Sequence, residues 1–191
     1  MSVSIEFNGI HHLALVCKDM QRTVDFYTNK LGMKLKKGFD LGGGYGQHFF
    51  FDMGNGSELA FFWFVDAKDA APGVASANSL VGSGEGSISS AVGSMNHVAF
   101  DVAPEKIEAY RDELVAQGIN CSQLINHDDV VTGDADRTAT EMTAKTWLRS
   151  FYFFDPDDIM LEFCATLAPG SPDVESPVNA TGEKANGQPL N

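Results

Sequence analysis

Cations are scarce in this chain: 13 Lys and Arg stand against 26 Asp and Glu, for a formal charge of −13. Phosphate backbones are held by clustered Lys and Arg. Here Lys34, Lys36 and Lys37 form the one dense group, so a nucleic-acid partner is excluded. Cysteine is sparse as well. Cys17, Cys121 and Cys164 show no CxxC spacing, which reads as reduced thiols of a cytoplasmic protein rather than a disulfide framework. No apolar run approaches the length that spans a bilayer, so no membrane partner is expected. The opening MSVSIEFNG has no charged segment followed by an apolar one, and no signal peptide is read there. Without secretion the sequons Asn55-Gly56-Ser57 and Asn179-Ala180-Thr181 are accidental.

What the chain does contain is a pattern written twice. The first copy reads Ile10-His11-His12-Leu13-Ala14-Leu15-Val16, then Asp19 and a helical run through Phe26-Tyr27 to Leu31-Gly32. The second opens Met95-Asn96-His97-Val98-Ala99-Phe100 and closes Phe151-Tyr152-Phe153-Phe154-Asp155-Pro156, with Glu162 beyond. A length of 191 residues suffices for a good core, as one domain or as two fused modules.

Alternation over 10–17 predicts a strand on which His12, Ala14 and Val16 share one face and His11 points to the other. Residues 20–30 predict a helix with Asp19 as N-cap and Gly32 as stop. Strands are expected at 33–39, 47–53 and 58–65. The first module, 8–66, is therefore βαβββ. Residues 67–94 turn to Ala, Gly, Ser and Pro and read as a linker or long surface loop. The second module, 95–166, repeats the order with strand 95–102, helix 104–117 and strands 119–125, 147–154 and 158–165. It carries an insertion at 127–146, long enough to be a candidate lid. The tail, 167–191, has little hydrophobicity and is expected to be flexible. The fold class is α+β: two βαβββ modules.

His12, His97 and Glu162 stand at matched points of the repeat. Two imidazoles and one carboxylate form a ligand set for a divalent metal that leaves positions open to substrate. Glu162 also sits between Leu161 and Phe163, where an unpaired carboxylate needs a cation. His48 and His127 are the remaining candidate proton carriers, since an imidazole ordinarily titrates near neutrality. Phe49, Phe50, Phe51, Phe61, Phe62 and Phe64 line an aromatic pocket or simply form core.

This arrangement resembles the vicinal oxygen chelate superfamily of glyoxalase I, fosfomycin-resistance proteins, methylmalonyl-CoA epimerase and extradiol dioxygenases. The resemblance rests on His12 with Asp19, Phe26-Tyr27 and Leu31-Gly32, on His97, and on Asp155-Pro156-Asp157 with Glu162. It implies paired modules whose mixed sheets curl around one metal, held through their first and fourth strands. Aligning the turn Gly54-Asn55-Gly56-Ser57 with Asp155-Pro156-Asp157-Asp158 sets Phe61 opposite Glu162, where glyoxalase I and the epimerase have a fourth ligand. Glu58, three residues away, then falls on the other face. An open three-ligand set is similar to that of the short extradiol dioxygenases, in which Tyr152 would bond a substrate oxygen. Against that branch, Thr143, Ala144 and Lys145 stand where its signature has a His, and Asp158 replaces a Gly.

The resemblance implies Fe(II), with Mn(II) next, a small aromatic or vicinal-oxygen substrate, and a homodimer or higher homo-oligomer, with the site closing within a chain or between chains. The leading expectation is an extradiol-type ring-cleaving dioxygenase acting with O2 on a catechol-like aromatic. The alternatives are a glyoxalase- or fosfomycin-resistance-type lyase, isomerase or transferase, and a non-catalytic ligand-binding member.

Overall fold

Each half of the chain builds its own sheet by the same route. The computed structural model describes residues 7–71, 73–76, 88–129 and 138–170. In the first half, β1 (His12–Val16) leads into helix α1 (Met20–Asp25), and β2 (Leu35–Leu41), β3 (Gly46–Gly54) and β4 (Ser57–Phe64) follow. The strand order is β1-β4-β3-β2, with β1 parallel to β4 and the other pairings antiparallel. The second half runs β5 (Val98–Asp101), α2 (Ile107–Ala116), β6 (Ile125–Asp128), β7 (Thr138–Ala139), β8 (Thr146–Phe154) and β9 (Met160–Thr166), in the order β5-β9-β8-β6-β7. The architecture is α+β, two modules with mixed sheets, as the sequence pattern predicts.

The local causes are ordinary ones. Asp19 caps α1 by accepting the Arg22 N–H, and the helix then widens into a π-helical turn over Phe26–Lys30 before Gly32 takes a positive φ of 70°. Pro104 opens a 3₁₀ turn ahead of α2, where its fixed φ and missing N–H cost nothing.

Two expectations are corrected. The strand read at 119–125 begins only at Ile125. Residues 119–124 are instead occupied by core contacts of Ile119, Cys121 and Leu124, a single bridge from Cys121 to Phe153, and a Ser122 hydroxyl that accepts the Tyr152 N–H. The 127–146 segment is likewise not wholly an insertion between strands, because β6 runs into it and β7 lies inside it. Its centre, residues 72 and 77–87 of the 67–94 linker, and the 167–191 tail beyond residue 170 lie outside the described residues.

Alternation gives each sheet two faces. One face of each packs into a common core in which Tyr27, Phe51, Leu59 and Phe61 meet Ile107, Phe151, Phe153 and Leu161. The halves are also tied by polar contacts. The fully buried Tyr27 hydroxyl donates to Asp155 Oδ2 at 3.1 Å. Asp157 accepts the Lys18 backbone N–H and pairs with Arg22, whose guanidinium also reaches the Pro156 carbonyl. The opposite faces carry the candidate site residues.

Candidate metal centre

The two sheets superimpose their chemistry residue by residue. In the first, Leu13 pairs with Leu59, Ala14 with Ala60 and Leu15 with Phe61. In the second, Val98 pairs with Leu161, Ala99 with Glu162 and Phe100 with Phe163. His12 therefore matches His97, and Glu162 matches Ala60. The antiparallel ladders agree, since Phe50 faces Ala60 as Tyr152 faces Glu162, and His48 faces Phe62 as Ser150 faces Cys164. The edge-on ring contact recurs too: His12 to Phe50 at 5.9 Å, His97 to Tyr152 at 5.6 Å.

This register corrects the expectation that Phe61 fills the fourth corner. Phe61 is fully buried on the core face, against Tyr27 and Phe51, and the corner belongs to Ala60. The cause is a bulge: Asp52 pairs with Glu58 but Gly54 with Ser57, leaving Met53 as an extra residue. An alignment by turn chemistry is thus one residue off, and one residue exchanges the faces of a strand. Glu58, two positions from Ala60, shares its face and lies opposite His12. It is held by Lys36 at 2.8 Å, and the Lys36 ammonium keeps its carboxyl below the usual range against a small opposing effect of burial. A methyl at the corner preserves the conclusion that no fourth protein ligand comes from there.

The second half brings most of the predicted residues together. His97 Nε2 lies 3.0 Å from Glu162 Oε2, and Glu162 is buried. Burial pushes the Glu162 carboxyl up, but hydrogen bonds from His97, Ser150 and Tyr152 outweigh it and hold the group below its ordinary value. Tyr152 is pushed up by burial and by the neighbouring Glu162 charge. His127 Nε2 stands 3.0 Å from the Ser150 hydroxyl, and burial lowers its pKa against the pull of Glu162.

No role is assigned to Ser150 or Asn96 from the sequence alone, yet both order this cluster. Asn96 Nδ2 donates to the Ile88 carbonyl and to Ser90, so its Oδ1 accepts from His97 Nδ1 at 2.8 Å. That bond orients the ring so that His97 Nε2 is aimed at Glu162, to which it donates. Histidine ligands are oriented in this way by a second partner. Asn96 adjoins His97 in the sequence and carried that signal. Ser150 carried none, because its role depends on the β8–β9 ladder.

His12 is not brought to this pair. It begins β1 on an exposed edge, with its Nδ1 2.9 Å from that of His11. Among the described residues no three His, Cys, Asp or Glu side chains are grouped to hold a metal ion. His97 and Glu162 suit a divalent metal in type, but as a pair. His48 also stands in the first half. It is buried, stacks on Phe62 at a centroid separation of 3.6 Å, and bonds the Phe61 carbonyl through Nδ1 at 3.0 Å.

A family model of the Glyoxalase/Bleomycin resistance protein/Dioxygenase superfamily matches residues 9–163. The chain belongs to this superfamily. No curated protein matches it in sequence. Among solved structures of similar fold, a glyoxalase family protein from Enterococcus faecalis shares 24% identity, covering 83% of this chain and 98% of that one, with a TM-score of 0.54. A glyoxalase/dioxygenase from Nostoc punctiforme shares 20% identity over 87% and 100% of the two chains, with a TM-score of 0.54. The fosfomycin resistance protein FosX from Listeria monocytogenes, complexed with Mn(II) and 1S,2S-dihydroxypropylphosphonic acid, shares 18% identity over 85% and 94%, with a TM-score of 0.52. These likenesses establish the fold. No helix among the described residues is long and apolar enough to cross a membrane.

Proposed function

We propose that the chain is a metal-dependent extradiol-type dioxygenase whose site closes between two copies, His97 and Glu162 of one chain meeting His12 of the other. The carrying observation is the open face of the first sheet. On it Phe39, His48, Phe50, Phe62 and Phe64 form a continuous array of ring contacts, including two stacked pairs, His48 on Phe62 and Phe62 on Phe64. His12 and Val16 on the same face are exposed in the single chain. A patch of this kind marks an interaction or ligand surface. Placed over the His97–Glu162 pair of a second copy, it supplies the missing imidazole and an aromatic wall.

A divalent ion, Fe(II) or next Mn(II), would supply Lewis acidity and a meeting point for two vicinal oxygens and O2. The chain's own groups do the rest. The aromatic wall orients a planar ring and excludes water. Asn96 orients the His97 ring. Tyr152, within hydrogen-bonding reach of Glu162, presents a hydroxyl beside the reacting oxygens. His127 holds a proton behind Ser150. The stacked rings of the wall favour a planar aromatic such as a catechol over a phosphonate.

The test is oxygen uptake by anaerobically Fe(II)-loaded protein over a panel of catechols, with a yellow ring-fission product as the expected result. Absence of uptake by protein that has bound one metal per site would refute the reaction. Turnover of epoxide or hydroxy-carbonyl compounds with Mn(II) under nitrogen would replace it with the resistance or glyoxalase type.

A further inference from the structure

We infer that the cleft on the helix side of the first sheet is a second ligand site, built for a small organic cation of the quaternary-ammonium type. It is separate from the metal-site reading above and stands without it. Adjacent strand residues point to opposite faces, so Trp63 turns away from the open face that carries Phe62 and Phe64. The register lays Asp40, Gln47 and Trp63 side by side across β2, β3 and β4, one row on one face. Lys18, Asp19 and Met20, where β1 passes into α1, border the cleft on one side, and the glycine-rich β2–β3 turn borders it on the other. The enclosed volume is about 720 Å³, a size that suits a small molecule. Gly46 brings the turn this close to β4, since a Cβ there would collide with the Trp63 carbonyl.

The chemistry of the row is that of cation recognition. Trp63 is half-buried and makes no hydrogen bond or ring contact among the described residues, so its indole face is open, and indole is the best aromatic surface for a cation. Gln47 donates its amide to Asp40 at 2.9 Å. That bond draws the Gln47 side chain toward β2, off the indole, and leaves the Asp40 charge in place. Lys18, the one cationic side chain among the described residues lining the cleft, is paired with Asp69 at 2.8 Å. Asp19 and Asp40 are in no ion pair among the described residues.

The cleft thus sets an aromatic plate beside two carboxylates without a counter-charge. An anion would meet both carboxylates, and a neutral apolar molecule would leave them unanswered. A methylated ammonium satisfies plate and carboxylates together, its methyl groups resting on the ring and its spread charge facing Asp40. Two strand spacings, about 10 Å, separate Asp40 from Trp63, which is room for one such group between them.

The test uses the full chain, choline as the probe, and 3,3-dimethylbutanol, in which carbon replaces the charged nitrogen, as its neutral match. The chain has two tryptophans, so nitrogen-15 NMR shows two indole N–H signals, and the one lost in W63L belongs to Trp63. Choline is expected to shift that signal and leave that of Trp147 in place. Broadening of the choline methyl protons gives the affinity. D40N should weaken choline about threefold and W63L about tenfold, as expected for one exposed charge and one cation–π contact. The neutral match should bind at least about tenfold more weakly than choline. Asp40 is exposed, so D40N keeps the test decisive where W63L fails to fold. Absence of a Trp63 shift, equal affinity for choline and its neutral match, or unaltered affinity in D40N each overturns the inference. The same readings are expected from metal-free and Fe(II)-loaded protein, so failure of the metal-site reading leaves this one standing.

Discussion

Removing one buried oxygen, in Tyr27→Phe, should cost more at pH 8 than at pH 4. The Tyr27 ring is fully buried against Phe51 and Phe61, and phenylalanine keeps that packing. What is lost is the hydroxyl donated to Asp155 at 3.1 Å. Asp155 also accepts the N–H groups of Asp157 and Ile159. Burial nevertheless pushes its carboxyl from 3.8 up to about 6, the three hydrogen bonds only partly offsetting that rise. A folded-state pKa above the unfolded one means that the group's full stability is present below about pH 4 and is lost as pH rises through about 6. The shift of roughly two units corresponds to about 3 kcal/mol.

The Tyr27 bond opposes that loss, because it favours the charged carboxylate. A hydrogen bond to a charged group contributes about 2 kcal/mol and one between neutral groups about 1 kcal/mol. Y27F should thus cost about 2 kcal/mol at pH 8 and about 1 kcal/mol at pH 4. For a chain of this size that is a fall in Tm of roughly 4–8 °C against roughly 2–4 °C. The difference of about 1 kcal/mol also requires the Asp155 pKa to rise by roughly 0.7 in the variant. Calorimetry at both pH values, with the carboxyl followed by carbon-13 NMR, measures each number. A loss of the same size at both pH values would refute the assignment of the hydroxyl as donor to a charged Asp155.

Four further outcomes are expected. Glu162→Gln should abolish stable metal binding while leaving the Tm of the metal-free protein unchanged or higher, and Asn96→Ala should weaken the metal by about 10–100-fold; equilibrium dialysis against a metal indicator measures both. Mixing His12→Ala and Glu162→Gln chains, each unable to bind alone, should restore roughly a quarter of the sites, since half the dimers are hybrids and each hybrid has one intact site. No recovery would show that each site closes within a chain. Ala60→Glu should add a fourth ligand at the vacant corner, so that metal is retained more tightly while 4-nitrocatechol binding falls by at least about tenfold.

The repeated strand, helix and hairpin were legible because they are local: Asp19, Gly32 and Pro104 mark boundaries that the fold respects, and His12 and His97 stand at matching points. Glu162 was legible as a carboxylate on an apolar strand. Its helpers were not, because Ser150 reaches it only through the β8–β9 ladder. The fourth corner was misread at Phe61 because the turns were aligned by their residues, and no rule of composition announces a bulge at Met53. Glu58 moved with it, from the far face to the one shared with His12. The strand expected at 119–125 was apolar enough but finds a single bridge partner, a property of the neighbouring strand rather than of its own residues.

The bulge at Met53 also bears on how the chain can change over time. Substitutions at Asn55 or Gly56 alter a turn, but deleting Met53 forces the hairpin either to rebuild that turn or to slide β3 past β4 by one position. A slide would turn the aromatic plate inward and deliver Phe49 and Phe51 to water. Length at this hairpin is therefore constrained as tightly as a reading frame.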